Sequence, residues 1–509
     1  TENDMYVFLD QSKKTLSQLP ASSLMNDAAL CGMAQRSFWM NVAPQTDKSG
    51  KPIGINAKRI GDLLIQECKK AGPFDPARVR GAGVWIEKGE VVENLHGPIP
   101  HSDQYTYIRF QSLGEPRLDK QVTGESIQAW LKLFNWREPH IENLLLGWLT
   151  IAPICGCLEW RPHIFLSGPK NTGKTTLING LAQLLRPVAI SPDGSSTEAG
   201  IRQSIKADSR PILLDEFESD GNNGRMQSVL KLARSASSSN SPVLRGSPEG
   251  KAMQFLLNTT FCFGAIIPIK GSNADASRIV NLELGQHKNC KETASKVREG
   301  ASMLEKSSGS WPYQISQQTK SILGSIEVCV KYLPPNIDSR HGKNVSILLG
   351  AAFVALKQRV PNGNEAKQWM EQHEQVIRNL AVEHEGDDAY DCLKRLLLSK
   401  PYGFQSNLGY QIQLLRKERC ESAEHAEINS FGIKIHNGSG FLVSNSHPSL
   451  KKIYEGTLWE SGNWNRSLQL LPGAEVGDEY RARFDGTQSR CVYIPFSCLE
   501  ESDVDTPNY

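Results

Sequence analysis

One stretch restricts this chain more than any other: HIFLSGPKNTGKTTLINGLAQLL, from His163 to Leu185. Within it, Gly168-Pro169-Lys170-Asn171-Thr172-Gly173-Lys174-Thr175 satisfies G-x-x-x-x-G-K-[ST] at every fixed position. The apolar run before it, His163 to Leu166, reads as a buried strand. After it, Leu177, Leu181, Leu184 and Leu185 recur at helical spacing. The glycines let the backbone curl until successive N–H groups face one point, and the helix start adds a partial positive charge there. Such a cradle takes phosphate. Residues Gly168 to Thr176, including Thr175 and Thr176, are therefore the candidate nucleotide-binding set, with ATP as the expected ligand. Lys174 would reach the β- and γ-phosphates, and the Thr175 hydroxyl would hold Mg²⁺.

A second metal partner follows in the chain. Pro211-Ile-Leu-Leu-Asp215-Glu216 is an apolar run ending in two acids, roughly forty residues after Lys174. Many strands end in acids. The order strand, glycine-rich turn, helix, strand makes this one specific. Asp215, at the strand's end, would share Mg²⁺ with Thr175, and Glu216 would orient and polarise an attacking water. A catalytic acid beside the metal acid points to hydrolysis rather than to a small-molecule kinase.

At 509 residues the chain exceeds one ordinary core, so several domains are expected. With 22% charged and 39% hydrophobic residues it has the composition of a folded soluble protein. A net charge of +2 gives no global basic field, so any DNA contact must come from local cations or from a channel shared by subunits. The 11 cysteines show no paired spacing, which suits a reducing compartment. Cys155 and Cys157 read as buried thiols. The longest apolar run, Leu144 to Leu158, is too short to span a bilayer and holds Pro153, so no membrane is implied. The chain begins at Thr1, which leaves room for a tag or a whole domain upstream.

Residues 1 to 80 read as helical and separate. Asn56 can cap a helix in which Ala57, Ile60, Leu63 and Leu64 share a face. A hairpin follows, Val84 to Val92, turning at Glu87-Lys88-Gly89-Glu90, then a short strand near Tyr105 to Phe110. A helix from Ser126 to Phe134 and the apolar helix above form a collar against the nucleotide-binding core. Trp130, Trp136 and Trp148 read as core. Past the P-loop helix, Val188 to Ile190 is a candidate strand, and Ser195 with Glu198 a capping-box start. Val243-Leu-Arg245 and Lys251 to Phe255 flank Gly246 to Gly250 as a hairpin. A strand from Phe261 to Ile267 follows, then Asn273-Ala-Asp275-Ala-Ser-Arg278 and a strand from Ile279 to Leu284.

This order of parts resembles the superfamily III branch of AAA+ ATPases. More narrowly, it is similar to the helicase half of phage and prophage primase–helicase proteins. VRGAGVWIEKGEVVENL before the core and HPSLKKIYEGTLWESGNWNRSLQLLPGA near the end carry the resemblance, which covers roughly residues 75 to 500. It implies an α/β AAA+ core with a parallel sheet and a homo-oligomeric ring, usually a hexamer, with ATP at the seams. It implies that Arg278 is an arginine finger reaching a neighbour's γ-phosphate; the plainer alternative is a structural ion pair with Asp275 or a helix end. It implies that the hairpin projects into the pore, where Lys251, or else Arg245, would grip single-stranded or forked DNA; the alternative is a solvated turn. Such ATPases carry a polar sensor at the end of the strand after the acids. Here that strand ends Ala265-Ile266-Ile267-Pro268 with no amide, and Asn258 is the substitute candidate, with the acids and Lys174 completing the catalytic set.

Residues 291–400 read as helical, with helices from Asn344 to Val360 and from Glu365 to Glu383. Residues 401–509 read as a small α+β module, winged-helix-like, in which Lys451 and Lys452 would serve DNA binding or the module would serve as a cap, ending in an acidic tail. The expected divisions are 1–110 (α+β), 111–160 (collar), 161–290 (ATPase core), 291–400 and 401–509. The functional expectation is an ATP-dependent DNA helicase of phage or mobile-element replication, acting in the cytoplasm of a bacterial host with a primase domain or partner upstream. Two competitors use the same core: a nucleotide-switched initiator that binds DNA without processive unwinding, and an ATPase that acts on protein partners.

Overall fold

The structure is a computed structural model. It describes residues 5–10, 14–110, 113–115, 121–218, 223–238, 243–246, 252–255, 257–266, 277–286, 290–335, 337, 339–382, 388–400, 406–417, 428–455, 457 and 459–499. They divide into two compact units, the first reaching Ile266 and resuming from Ser277 to Arg378, the second running from Asn379. The boundary falls inside the 291–400 stretch, ahead of the expected module start at 401.

The N-terminal part is not helical alone. Strands β1 (Met5–Asp10) and β2 (Thr15–Pro20) pair antiparallel, as do β3 (Pro44–Thr46) and β4 (Pro52–Ile55). Between and after them lie α1 (Ala21–Leu24), α2 (Asp27–Met33), α3 (Arg36–Val42) and α4 (Ala57–Ala71). Asn56 caps α4 by accepting the Arg59 N–H at 3.1 Å. Ile60 is buried with Leu30, Trp39 and Ile55, and Ala57 and Leu64 pack against them. Leu63 does not join this face. It lies about 90° round the helix from that stripe and is 40% exposed.

Strands β5 (Val79–Arg80) and β8 (Thr106–Tyr107) pair in parallel, and β6 (Gly83–Glu87) pairs with β7 (Glu90–Asn94) through the expected Lys88-Gly89 turn. Both turn residues have positive φ, 51° and 81°, the geometry a two-residue hairpin requires. Helix α5 (Gly124–Leu131) starts at Thr123, whose hydroxyl accepts the Ser126 N–H at 3.1 Å. Helix α6 (Ile141–Ile151) is buried throughout and tightens into a 3₁₀ turn, Ala152–Cys157, at Pro153.

The core is a parallel sheet of β9 (His163–Ser167), β10 (Ile212–Leu214), β13 (Phe261–Ala265) and β14 (Ile279–Glu283), in the order β10-β13-β9-β14. Strands β9, β10 and β13 are buried on both faces, as parallel strands covered by helices must be. Phe165, Phe217, Phe261 and Phe263 stack across one face. The strand expected at 188–190 shrinks to a single bridge, Ile190 to Ile212. The hairpin of β11 (Val243–Gly246) and β12 (Ala252–Phe255) is present, with Arg245 opposite Met253.

Helix α7 (Lys174–Leu184) follows β9, α8 (Glu198–Ile205) follows the bridge, and α9 (Asn223–Ala236) follows β10. Thr197, not Ser195, caps α8, accepting the Gly200 N–H at 3.2 Å. Ser195 instead closes a local turn on Asp193. Trp130 of α5 is wedged between α7 and the helix Cys290–Lys306. A Cβ at Gly180 would lie 2.4 Å from its ring and one at Gly300 2.3 Å. Its indole N–H donates to the Val297 carbonyl at 3.1 Å. Trp130 and Trp148 are core, while Trp136 is half-buried. The helix expected from Glu365 to Glu383 is two, Gly363–Gln372 and Glu374–Val382. They meet at His373, whose buried ring bonds Asn143 and the Trp369 carbonyl at 2.8 and 2.7 Å.

The second unit holds an antiparallel sheet, β15 (Ile433–His436), β16 (Gly440–Ser444), β17 (Glu475–Phe484) and β18 (Thr487–Pro495), in the order β15-β16-β18-β17. Its helices pack on one sheet face around Leu393, Ile412, Phe441, Val492 and Ile494. Trp464 stacks on Tyr454 at 5.4 Å. Strand β17 escapes sequence reading because acids and Gly477 interrupt its alternation. Lys451 and Lys452 sit in the last turn of the short helix Pro448–Ile453. The acidic end, 500–509, lies outside the described residues. Among those residues no helix is long and apolar enough to cross a membrane.

Candidate nucleotide site

Strand β9 delivers the chain to the sheet's C-terminal edge, where it turns. Gly168 has φ 154°, Asn171 67° and Gly173 88°. A side chain at Gly168 would meet the Leu284 carbonyl at 2.6 Å, so the loop can pass there only without one. The Thr172 hydroxyl ties the loop across itself to the Pro169 carbonyl at 3.0 Å. Gly173 is the N-cap of α7, and Lys174, Thr175 and Thr176 form its first turn. N–H groups of a first turn have no partner within the helix. Pro169, Lys170 and Thr175 are exposed and Lys174 is half-buried, so the cradle opens to solvent.

The acids arrive from β10. Leu214 lies level with Phe263 of β13, and Phe263 with Phe165 of β9, so Asp215 comes level with Gly264. A Cβ on Gly264 would be 3.0 Å from Asp215 Oδ1 and 2.2 Å from Ile178 of α7. Glycine there leaves room for the carboxylate between the strand and the P-loop helix. Asp215 Oδ1 accepts the Glu216 N–H at 2.9 Å. Glu216 has φ 54°, the left-handed region, and is exposed.

Lys174 joins the two halves. Its Nζ donates to the Gly168 carbonyl at 3.3 Å. Partial burial draws the ammonium below the ordinary lysine range, opposed by the carboxylates of Glu218, Asp215 and Glu216. One lysine, a threonine hydroxyl, paired carboxylates and a fresh helix start thus share one sheet edge. This is a donor set that fits a magnesium–triphosphate: Lys174 and the loop for phosphate oxygens, Thr175 and Asp215 for the metal.

The other candidates lie elsewhere. Arg278 precedes β14, at the sheet's N-terminal edge, and its carbonyl accepts the His163 N–H at 3.0 Å. Its Nε donates to Ser237 at 3.1 Å, and its guanidinium lies 5.5 Å from the Trp160 ring, which Lys343 also approaches at 5.5 Å. A five-residue strand separates it from its own P-loop, roughly 16 Å. Asn258 precedes β13 at that same far edge, where its carbonyl accepts from Ser209 at 2.6 Å and Cys155 at 3.3 Å. The structure does not bring it to the phosphate loop, because strand direction puts residues before β13 opposite residues after β9. Lys251 and Asp275 lie outside the described residues, as does the Arg245 side chain.

Three residues at the site were not singled out from sequence. Glu218, two positions past Glu216, accepts the Ile266 N–H at 3.0 Å. Arg225 of α9 donates to the Gly194 and Glu218 carbonyls at 2.5 and 3.1 Å. Phe134 lies against Gly173, where a Cβ would be 3.3 Å from its ring. The visible signal for Glu218 was a third acid in Asp215-Glu-Phe-Glu218; for Arg225 and Phe134 there was none.

No family model matches the chain, and no curated protein matches it. Similar solved structures include one described as the active helicase Cch of SCCmec type IV: 13% identity, TM-score 0.49, covering 96% of this chain and 90% of that one. Another is the C-terminal region of NrS-1: 13% identity, TM-score 0.35, covering 96% and 97%. At such scores the chemistry must be argued from the site itself.

Proposed function

We propose that this chain is an ATP-hydrolysing DNA helicase of the superfamily III type, working as a ring in phage or mobile-element replication. The observation that carries the hydrolytic half is the gathering of Lys174, Asp215 and Glu216 at one edge of a parallel sheet, with β13 between the two strands that supply them. Lys174 and the loop would hold the triphosphate, Thr175 and Asp215 the Mg²⁺, which supplies charge neutralisation when bound. Glu216 would orient the attacking water.

What favours a ring is the place of Arg278. At the opposite edge from its own P-loop, it would serve a neighbour's nucleotide, after exchanging Ser237 and Trp160 for a phosphate; the plainer reading is that those two contacts are structural. The pore hairpin, with Lys251 or Arg245 on DNA, completes the motor.

Lys174→Ala should abolish hydrolysis; retained turnover sinks the nucleotide-site assignment. Mixing Lys174→Ala protein with Arg278→Ala protein should restore part of the activity, since some seams would pair an intact cradle with an intact arginine. No recovery in the mixture counts against the ring. Forked-duplex unwinding separates a helicase from a DNA-bound switch.

A further inference from the structure

Ile266, just past β13, has its peptide bonded on two sides. Its carbonyl accepts the N–H of Gly168, the first residue of the phosphate loop, at 3.2 Å, and its N–H donates to Glu218 Oε1 at 3.0 Å. Two residues earlier, the Gly264 carbonyl accepts the Phe217 N–H at 2.8 Å. The acid loop is thus stitched to β13 at Phe217 and Glu218, and β13 to the P-loop at Gly168. Glu216, immediately before the first stitch, has a left-handed φ of 54°. A non-glycine residue keeps such a backbone only where its surroundings over-determine it.

We propose that Glu218 is a positioning residue. Its carboxylate oxygen latches the acid loop to the P-loop through the Ile266 peptide, which holds Glu216 in its strained orientation. The inference rests on the hydrolytic reading above. It assigns Glu218 no proton transfer and no contact with the metal.

Two substitutions test the latch. Glu218→Gln keeps an acceptor oxygen and loses the charge; Glu218→Ala loses both. Steady-state ATP hydrolysis by the full chain, with single-stranded DNA present, gives kcat and KM for each. Glu218→Gln should rescue kcat to within about twofold of the native chain. Glu218→Ala should lower kcat by about tenfold or more, as small displacements of a catalytic group do, while still binding a fluorescent ATP analogue, which shows that it is folded. Equal kcat losses in both variants overturn the latch, as does an unchanged kcat in Glu218→Ala. Loss of hydrolysis in Glu218→Gln as complete as in Glu216→Gln would make Glu218 the water-activating group and overturn the positioning role. If Glu216→Gln itself hydrolyses ATP normally, it is the hydrolytic reading that fails.

Discussion

His163 opens β9, and its ring decides how the core answers to acid. Nδ1 accepts the Phe261 N–H at 3.1 Å, and Nε2 lies 2.7 Å from the Ala233 carbonyl, so Nε2 carries the one proton of a neutral ring. Complete burial, with Arg161 and Arg278 nearby, pulls its pKa from 6.5 to about 3. Protonation therefore favours the unfolded chain. The stabilisation is fully present above pH 6.5 and is lost progressively as pH falls towards the folded value. At about 1.4 kcal/mol per pH unit, His163 alone should cost about 2 kcal/mol between pH 7.5 and 5. His373, pulled to about 4 by burial, acts in the same window, so the wild-type slope by itself is not diagnostic. The discriminating comparison is urea unfolding of the native chain and of His163→Gln at both pH values. Gln can donate to Ala233 and accept from Phe261 without titrating. The variant should lose about 2 kcal/mol less than the native chain over that interval. Equal losses would refute a buried neutral His163.

Four further outcomes follow from packing. Trp130→Ala should destabilise the first unit by about 3–5 kcal/mol, read as a shift in urea midpoint, because the ring fills the gap between Gly180 and Gly300. Gly180→Ala should cost about 1–3 kcal/mol despite its better helix propensity, since the added methyl meets a rigid ring. Gly264→Val should depress kcat for ATP by about tenfold or more, as the side chain would displace Asp215 or Ile178; normal turnover would show that the strand and acid loop yield freely. Leu63→Ser should change stability by no more than about 0.5 kcal/mol, a value that a buried leucine would far exceed.

Much of the local structure around the glycine-rich loop was legible from the sequence alone. A glycine-rich turn, its flanking strand and helix, and the acid-ended strand are local patterns, and local sterics and hydrophobic period specify them. The hairpins at Lys88-Gly89 and between β11 and β12 were legible for the same reason. Elsewhere local signals competed. Ser195 and Thr197 both lie ahead of Glu198, and only the closed bond to Gly200 decides that threonine is the cap. Leu63 and Leu64 both look apolar in a row, and only the partner surface decides which is covered.

What needed the tertiary structure was everything set by non-adjacent strands. That β13 lies between β9 and β10, that Asp215 comes level with Gly264, and that Glu218 reaches the Ile266 peptide all depend on pairings between residues tens of positions apart. The same pairings place Asn258 and Arg278 at the far edge of the sheet from Lys174. A sequence specifies strands through their side-chain period, but which strands meet, and which end faces the site, is decided when buried faces are satisfied together.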